Sequence, residues 1–195
     1  VPGPNAGSAQ LLDADGPFAS VLPGFAPRQE QLQLAAAIER TIATGGTLVA
    51  EAGTGIGKTL AYLVPVLMGK QRTIISTGTK TLQDQLYFRD LPVVKKALRS
   101  TLKTALLKGR ANYLCLYRME QARREGRLPS RDSIGELEAI RQWAPTSVDG
   151  DLSIAPVMAE DSELWPMVTS TAENCLGSDC PDFERCFVAR ARREA

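Results

Sequence analysis

Residues Ala52-Gly53-Thr54-Gly55-Ile56-Gly57-Lys58-Thr59 have the spacing of a phosphate-binding loop, with Ala52 where a first glycine usually stands. The residue types suit that chemistry. Glycines let backbone N–H groups turn inward around an anion, a lysine brings positive charge to the terminal phosphates, and a threonine hydroxyl ligates Mg²⁺. Gly53, Gly55 and Gly57 keep the loop permissive despite Ala52. A glycine-rich turn looks the same in isolation, so context decides. An apolar run at 47–51 precedes the loop and reads as a buried strand. A helix is predicted from Lys58 towards Met68, its positive N-terminus facing the same anion. Nucleotide binding by Gly53, Thr54, Gly55, Ile56, Gly57, Lys58 and Thr59 is the expectation, with Lys58 and Thr59 closest to the chemistry.

Four cysteines form a second candidate site: Cys115 alone, then Cys175, Cys180 and Cys186 with gaps of four and five residues. Four thiolates suit zinc or an iron–sulfur cluster. Structural zinc usually shows two close pairs, and this one-plus-three arrangement with wider gaps fits a cluster better. On spacing alone, zinc and four free thiols remain open. No secretory signal accompanies them, which makes a disulfide framework a weak reading. The chain has no histidine, so imidazole is excluded as ligand or general base.

The elements that must position these groups alternate. A helix is predicted from near Arg28 to before Gly45, with Leu32, Ala35, Ala36 and Ile38 on its apolar face. Residues 72–77 are rich in β-branched types and read as a second strand, 79–98 as largely helical with a break at Pro92, and 104–107 as a third strand. That order argues an α/β core with a parallel sheet. After Gly109 the pattern changes. Residues 110–127 and 132–143 are helical in tendency, 144–179 show little periodicity, and 183–193 read as a last helix. Three parts result: a flexible leader at 1–24, a nucleotide-binding core at 25–109, and a mostly helical, cysteine-bearing insert at 110–195.

A length of 195 residues with 44% hydrophobic content is enough for one domain plus an insert. The longest apolar run, around Ala61 to Met68, is far too short for a membrane span, and the leader lacks the layout of a signal peptide. A cytoplasmic location is the expectation. Net charge is +1, but its distribution is uneven. Residues 69–131 hold fifteen Lys/Arg against four Asp/Glu, and residues 132–184 hold twelve Asp/Glu against Arg141 alone. A basic block attracts phosphate backbones, although solvated helix faces produce the same count.

The motifs together resemble the iron–sulfur DNA helicases of superfamily 2, the XPD/DinG group with its bacterial YoaA-type members. Phe25-Ala26-Pro27-Arg28 with Gln31 resembles the group's adenine-sensing Q-motif, and Glu51 to Thr59 its motif I. Ile75 to Leu86 resembles motif Ia, which contacts single-stranded DNA. Leu107-Lys108-Gly109-Arg110-Ala111-Asn112-Tyr113-Leu114-Cys115 resembles the start of the cluster domain, and Asn174 to Cys180 with Cys186 its remaining ligands. The resemblance runs from about Pro23 onward. It implies a partial RecA-like P-loop NTPase domain interrupted by a cluster domain, and a [4Fe–4S] cluster on Cys115, Cys175, Cys180 and Cys186. It also implies ATP-driven 5′ to 3′ movement on single-stranded DNA and at forked duplexes, in DNA repair or replication.

Carried onto this chain, the resemblance makes Gln31 the adenine partner with Arg28 beside it. Thr77, Thr79 and Gln83 become candidates for the DNA backbone, and Lys108 and Arg110 for phosphate. Helix capping is the alternative role for Thr79. Tyr113 suits base stacking less well than packing, and Trp143 and Trp165 are assigned to the core. No Asp-Glu pair and no histidine occur, so the group's DEAH box and second motor domain are expected outside this sequence, leaving an N-terminal fragment without its own catalysis. A P-loop NTPase of another kind, or a zinc-bearing nucleic-acid-binding module, is the competing reading.

Overall fold

The computed structural model describes residues 6–156, 158–159 and 161–195, and the chain divides into two compact units, Val1–Lys103 and Thr104–Ala195. The division falls a few residues before Gly109, because residues 108–115 are bonded into the second unit. Leu114 N–H donates to Gly150 O and Cys115 N–H to Val168 O, both at 2.8 Å.

In the first unit, α1 (Ser8–Leu11), α2 (Phe18–Val21), α3 (Gln29–Thr44), α4 (Lys58–Gly69), α5 (Lys80–Asp84) and α6 (Leu91–Leu98) surround one apolar core. Its centre is Leu12, Phe18, Ala35, Leu63, Val64 and Val94. The flexible leader is corrected here from residue 6 onward, residues 1–5 lying outside the described residues. Leu12 and Phe18 are fully buried, Phe18 sits 5.8 Å from the Phe25 ring, and the Ser8 amide and hydroxyl both donate to Glu39. Two buried apolar side chains outweigh a composition rich in small residues.

Helices α3 and α4 match the sequence pattern closely. Between α5 and α6 the chain takes a π-helical turn, Gln85–Asp90. Helical backbone runs without a gap from Lys80 to Leu98, and the irregularity expected at Pro92 takes the form of the π-helical stretch that ends two residues before it. Among the described residues, 47–51, 72–77 and 104–107, where strands are predicted, form neither helix nor strand. Their alternation gives them strand character without a ladder, and Val49 (91% exposed) and Ile74 (92%) face solvent.

The second unit holds α7 (Leu116–Glu125), α8 (Asp132–Trp143), α9 (Trp165–Val168) and α10 (Phe187–Glu194), joined by 3-10 turns. Its core is Tyr113, Leu114, Met119, Leu137, Ile140, Leu152, Leu164, Val168 and Phe187, with Trp143 and Trp165 packed against it. The expected helix over 110–127 begins only at Leu116; residues 110–112 form a 3-10 turn, and Tyr113 bridges to Asp151 in antiparallel fashion. Among the described residues, no helix is long and apolar enough to cross a membrane.

Candidate functional site

The glycines of the loop are required by its geometry. Gly55 and Gly57 sit at φ +83° and +81°, a region that disfavours side chains. Gly57 is also the N-cap of α4, and a Cβ there would lie 2.1 Å from Gln31 Nε2. That approach exists because Gln31, buried in the first turn of α3, donates from Nε2 to Gly57 O at 3.0 Å. Its Oε1 is buried without a partner. Arg28, the N-cap of α3, brings an Nη1 within 3.6 Å of where a Cβ on Gly55 would stand. Gln31 and Arg28, separated from the loop by more than twenty residues of sequence, are thus brought against it.

Lys58 opens α4 and folds back over the loop, donating to Ala52 O at 2.7 Å and Gly53 O at 2.8 Å. An ammonium resting on carbonyls is a cation in search of an anion, and a phosphate in the loop competes directly for it. Beside the loop opens a cavity of about 600 Å³, lined by Lys58, Thr59, Tyr62, Thr77, Gln85 and Asp90 together with apolar side chains of α3 and α5. Burial pushes the Tyr62 phenol up; the neighbouring Thr59 side chain opposes this, and the Asp90 carboxylate adds to it. Tyr62 and Asp90 were not singled out by the sequence motifs, although Tyr62 stands one helical turn after Thr59 and shares its face.

Thr77 donates to Thr79 O at 3.2 Å. The Thr79 hydroxyl accepts from Leu82 N–H at 3.2 Å as the N-cap of α5, and Gln83 lies within that helix. Thr79 therefore takes its capping role.

Lys108 and Arg110 are both engaged within the second unit. The Lys108 ammonium is buried against Asp151, 2.6 Å away, and donates to Ser153 Oγ at 3.1 Å. A lysine desolvated beside a carboxylate is not presented to a DNA backbone. Arg110 donates to Cys175 Sγ at 2.9 Å. Tyr113 is buried, and its hydroxyl accepts the Lys108 N–H at 2.9 Å, so it packs rather than stacks on a base. Trp165 donates to Ala111 O at 2.8 Å.

The four thiols occupy turns and helix starts of the second unit. Cys115 caps α7 and Cys186 caps α10, two helix N-termini that favour negative sulfur. Cys180 ends the 3-10 turn Gly177–Asp179. Burial first, and then the neighbouring Cys180, Cys186 and Cys175, push the Cys115 thiol up, while the Arg118 N–H pulls it back. The four sulfurs therefore share one electrostatic neighbourhood. Two N–H groups reach Cys175, from Arg110 and from Gly177 at 3.4 Å. Among the described residues, however, no group of three or more Cys, Asp or Glu side chains stands in a metal-holding arrangement. The donor set suits a thiolate-bound metal centre; the ligand geometry is not preformed.

Comparison with known proteins agrees with the loop. Residues 30–114 match the family described as DEAD/DEAH box helicase. The chain is 55% identical over 182 residues to the "ATP-dependent DNA helicase YoaA" of Escherichia coli (strain K12), covering 93% of this chain and 28% of that protein. It is 50% identical over 187 residues to the protein of the same name in Haemophilus influenzae, covering 96% and 29%. It is 36% identical over 195 residues to the "ATP-dependent helicase DinG" of Mycobacterium tuberculosis (strain ATCC 25618 / H37Rv), covering 88% and 29%. The chain thus spans less than a third of the length of these relatives. The phosphate loop and the residues set against it agree with these likenesses: over residues 30–114 the chain is similar to the DEAD/DEAH box helicases, whose domain implies a RecA-like P-loop fold, and over most of its length it is similar to part of the YoaA and DinG proteins.

Proposed function

We propose that the protein carrying this chain is an ATP-dependent DNA helicase, and that these residues supply its nucleotide loop and a metal-bearing insert. The observation that carries the proposal is the loop itself: Lys58 and Thr59 at the N-terminus of α4, with the buried Gln31 set against Gly57 and the exposed Arg28 against Gly55. The orphaned Gln31 Oε1 is an acceptor looking for a donor, and the exocyclic amine of adenine is one. Gly53 to Gly57 would wrap the phosphates, Lys58 would neutralise them, and Thr59 would hold Mg²⁺. Residues 47–51, 72–77 and 104–107 would be strands of the RecA-like parallel sheet. Thr77 and Gln83 remain the DNA-facing candidates, with movement 5′ to 3′ on single-stranded and forked DNA in the cytoplasm, in repair or replication.

Cys115, Cys175, Cys180 and Cys186 would hold a [4Fe–4S] cluster. Four thiols in one neighbourhood, two helix N-termini and two N–H donors to Cys175 support this reading. When bound, the cluster supplies a rigid cross-link between Cys115 and a segment some sixty residues away.

The test has two arms. In the intact protein, DNA-stimulated ATP hydrolysis is expected and Lys58→Ala is expected to abolish it; hydrolysis unaffected by Lys58→Ala removes the nucleotide assignment. Anaerobic purification with iron, sulfide and zinc analysis addresses the cysteines. About four irons per chain, lost in Cys180→Ser, supports the cluster, whereas one zinc per chain would replace it with a structural zinc site.

A further inference from the structure

The neighbours of two candidate ligands meet at one glycine. Leu114 precedes Cys115, and its N–H donates to Gly150 O at 2.8 Å. Phe187 follows Cys186, and its buried ring occupies the space that a Cβ on Gly150 would need. Gly150 is itself buried and stands at φ +70°, where side chains are disfavoured. One residue therefore holds the chain before Cys115 through its carbonyl and the chain after Cys186 through its missing side chain.

The surroundings of this contact are fixed as well. Gly150 N–H donates to Ser147 Oγ at 2.9 Å, and Asp151 bridges to Tyr113 in antiparallel fashion. Arg190, one turn after Phe187, places its guanidinium 5.1 Å from the centre of that ring and donates to Val148 O. Cys115 N–H is bonded to Val168 O. A change at Gly150 is therefore passed to the two cysteines instead of relaxing into a loose loop. Cys180, by contrast, makes its backbone bonds within its own turn, to Gly177 and Phe183.

We infer that Gly150 is a positioning residue for the metal centre: with the Phe187 ring seated on it, it fixes where Cys186 stands relative to Cys115. The inference rests on the reading of the four cysteines as metal ligands and adds a residue to it. Gly150 touches no metal and acts through the neighbours of two ligands. Any side chain at this position must displace Phe187 or the loop, and either movement shifts one thiol relative to the other.

The experiment loads the intact protein with ferrous iron and sulfide under anaerobic conditions and follows iron release to an added chelator. The proteins compared are wild type, Gly150→Ala, the double variant Gly150→Ala/Phe187→Leu, and Leu137→Ala. Gly150→Ala should release iron about tenfold faster than wild type or more, the scale on which groups behind metal ligands act. In the double variant Leu leaves room for the new methyl, so release should return towards the wild-type rate. Leu137→Ala removes core from α8 and should lower the thermal midpoint without changing release. Wild-type release from Gly150→Ala overturns the proposal. Equally fast release from Leu137→Ala also overturns it, by marking a purely structural residue. The double variant decides where Gly150→Ala fails to fold, since rapid release from it, with the collision removed, overturns the proposal too. If wild type holds zinc, zinc release is read in the same way. A wild type that takes up neither metal at its cysteines would instead overturn the metal-centre reading.

Discussion

Lys108 Nζ lies 2.6 Å from Asp151 Oδ2, with the two side chains 1% and 4% exposed. Asp151 Oδ1 in turn accepts from Ser153 N–H at 3.0 Å and Ser153 Oγ at 2.6 Å. The pair ties the start of the second unit to the loop whose Gly150 carbonyl receives Leu114 N–H. Breaking one side of such a pair leaves a buried charge, at about 3–5 kcal/mol. Lys108→Met and Asp151→Leu are each expected to show that loss in urea unfolding, and the double substitution to recover most of it. Losses under about 1 kcal/mol, as for an exposed pair, would contradict the burial.

Gly57→Ala meets two obstacles at once, a backbone at φ +81° and the Gln31 amide 2.1 Å from the new Cβ. The left-handed conformation alone costs about 1–2 kcal/mol. Gln31→Ala removes the collision and leaves the backbone strain. The double variant is therefore expected to be more stable to heat than the sum of the two single losses implies. Strict additivity of the melting shifts would argue that the collision is relieved at no cost.

Thr79 gives a prediction that separates capping from DNA contact. Thr79→Ala should destabilise the first unit by about 1 kcal/mol, and Thr79→Ser or Thr79→Asp should retain most of the cap. If the residue contacted phosphate instead, Asp would repel DNA while Ser would not. Comparing the two variants in stability and in single-strand affinity tells the roles apart.

Tyr113 predicts an alkaline dependence. Burial holds its phenol above the usual value of 10.0. A raised folded-state value means that the contribution to stability is fully present below pH 10 and is lost as pH rises through the folded value. Tyr113→Phe lacks that alkaline decline, but at neutral pH it orphans the Lys108 N–H, at about 1–3 kcal/mol. Unfolding curves between neutral and strongly alkaline pH should therefore converge for the two proteins. Parallel curves would refute the assignment.

The loop was legible in the sequence because its chemistry is local: glycine spacing, Lys58 and Thr59 fall within eight residues of chain. The helices α3, α4 and α8 were legible from their apolar spacing and their stops. What escaped depends on contacts distant in sequence. Lys108 reads as a surface cation beside Arg110, and nothing nearby announces that Asp151, forty-three positions away, will bury it. Arg110 likewise shows no sign of Cys175. Small residues at 1–24 suggested looseness, while Leu12 and Phe18 fill the core. Strand character at 47–51 and 72–77 was visible, but pairing is a property of neighbours and cannot be read from one segment.

Those two segments carry a practical consequence. Val49 and Ile74 stand in solvent on segments outside any helix, and exposed apolar side chains of this kind are where copies of a chain associate. The chain handled alone is expected to turn turbid as its concentration rises. A lysine at position 49 should suppress this without touching the loop, because a charge in place of an exposed apolar side chain works as a gatekeeper against association.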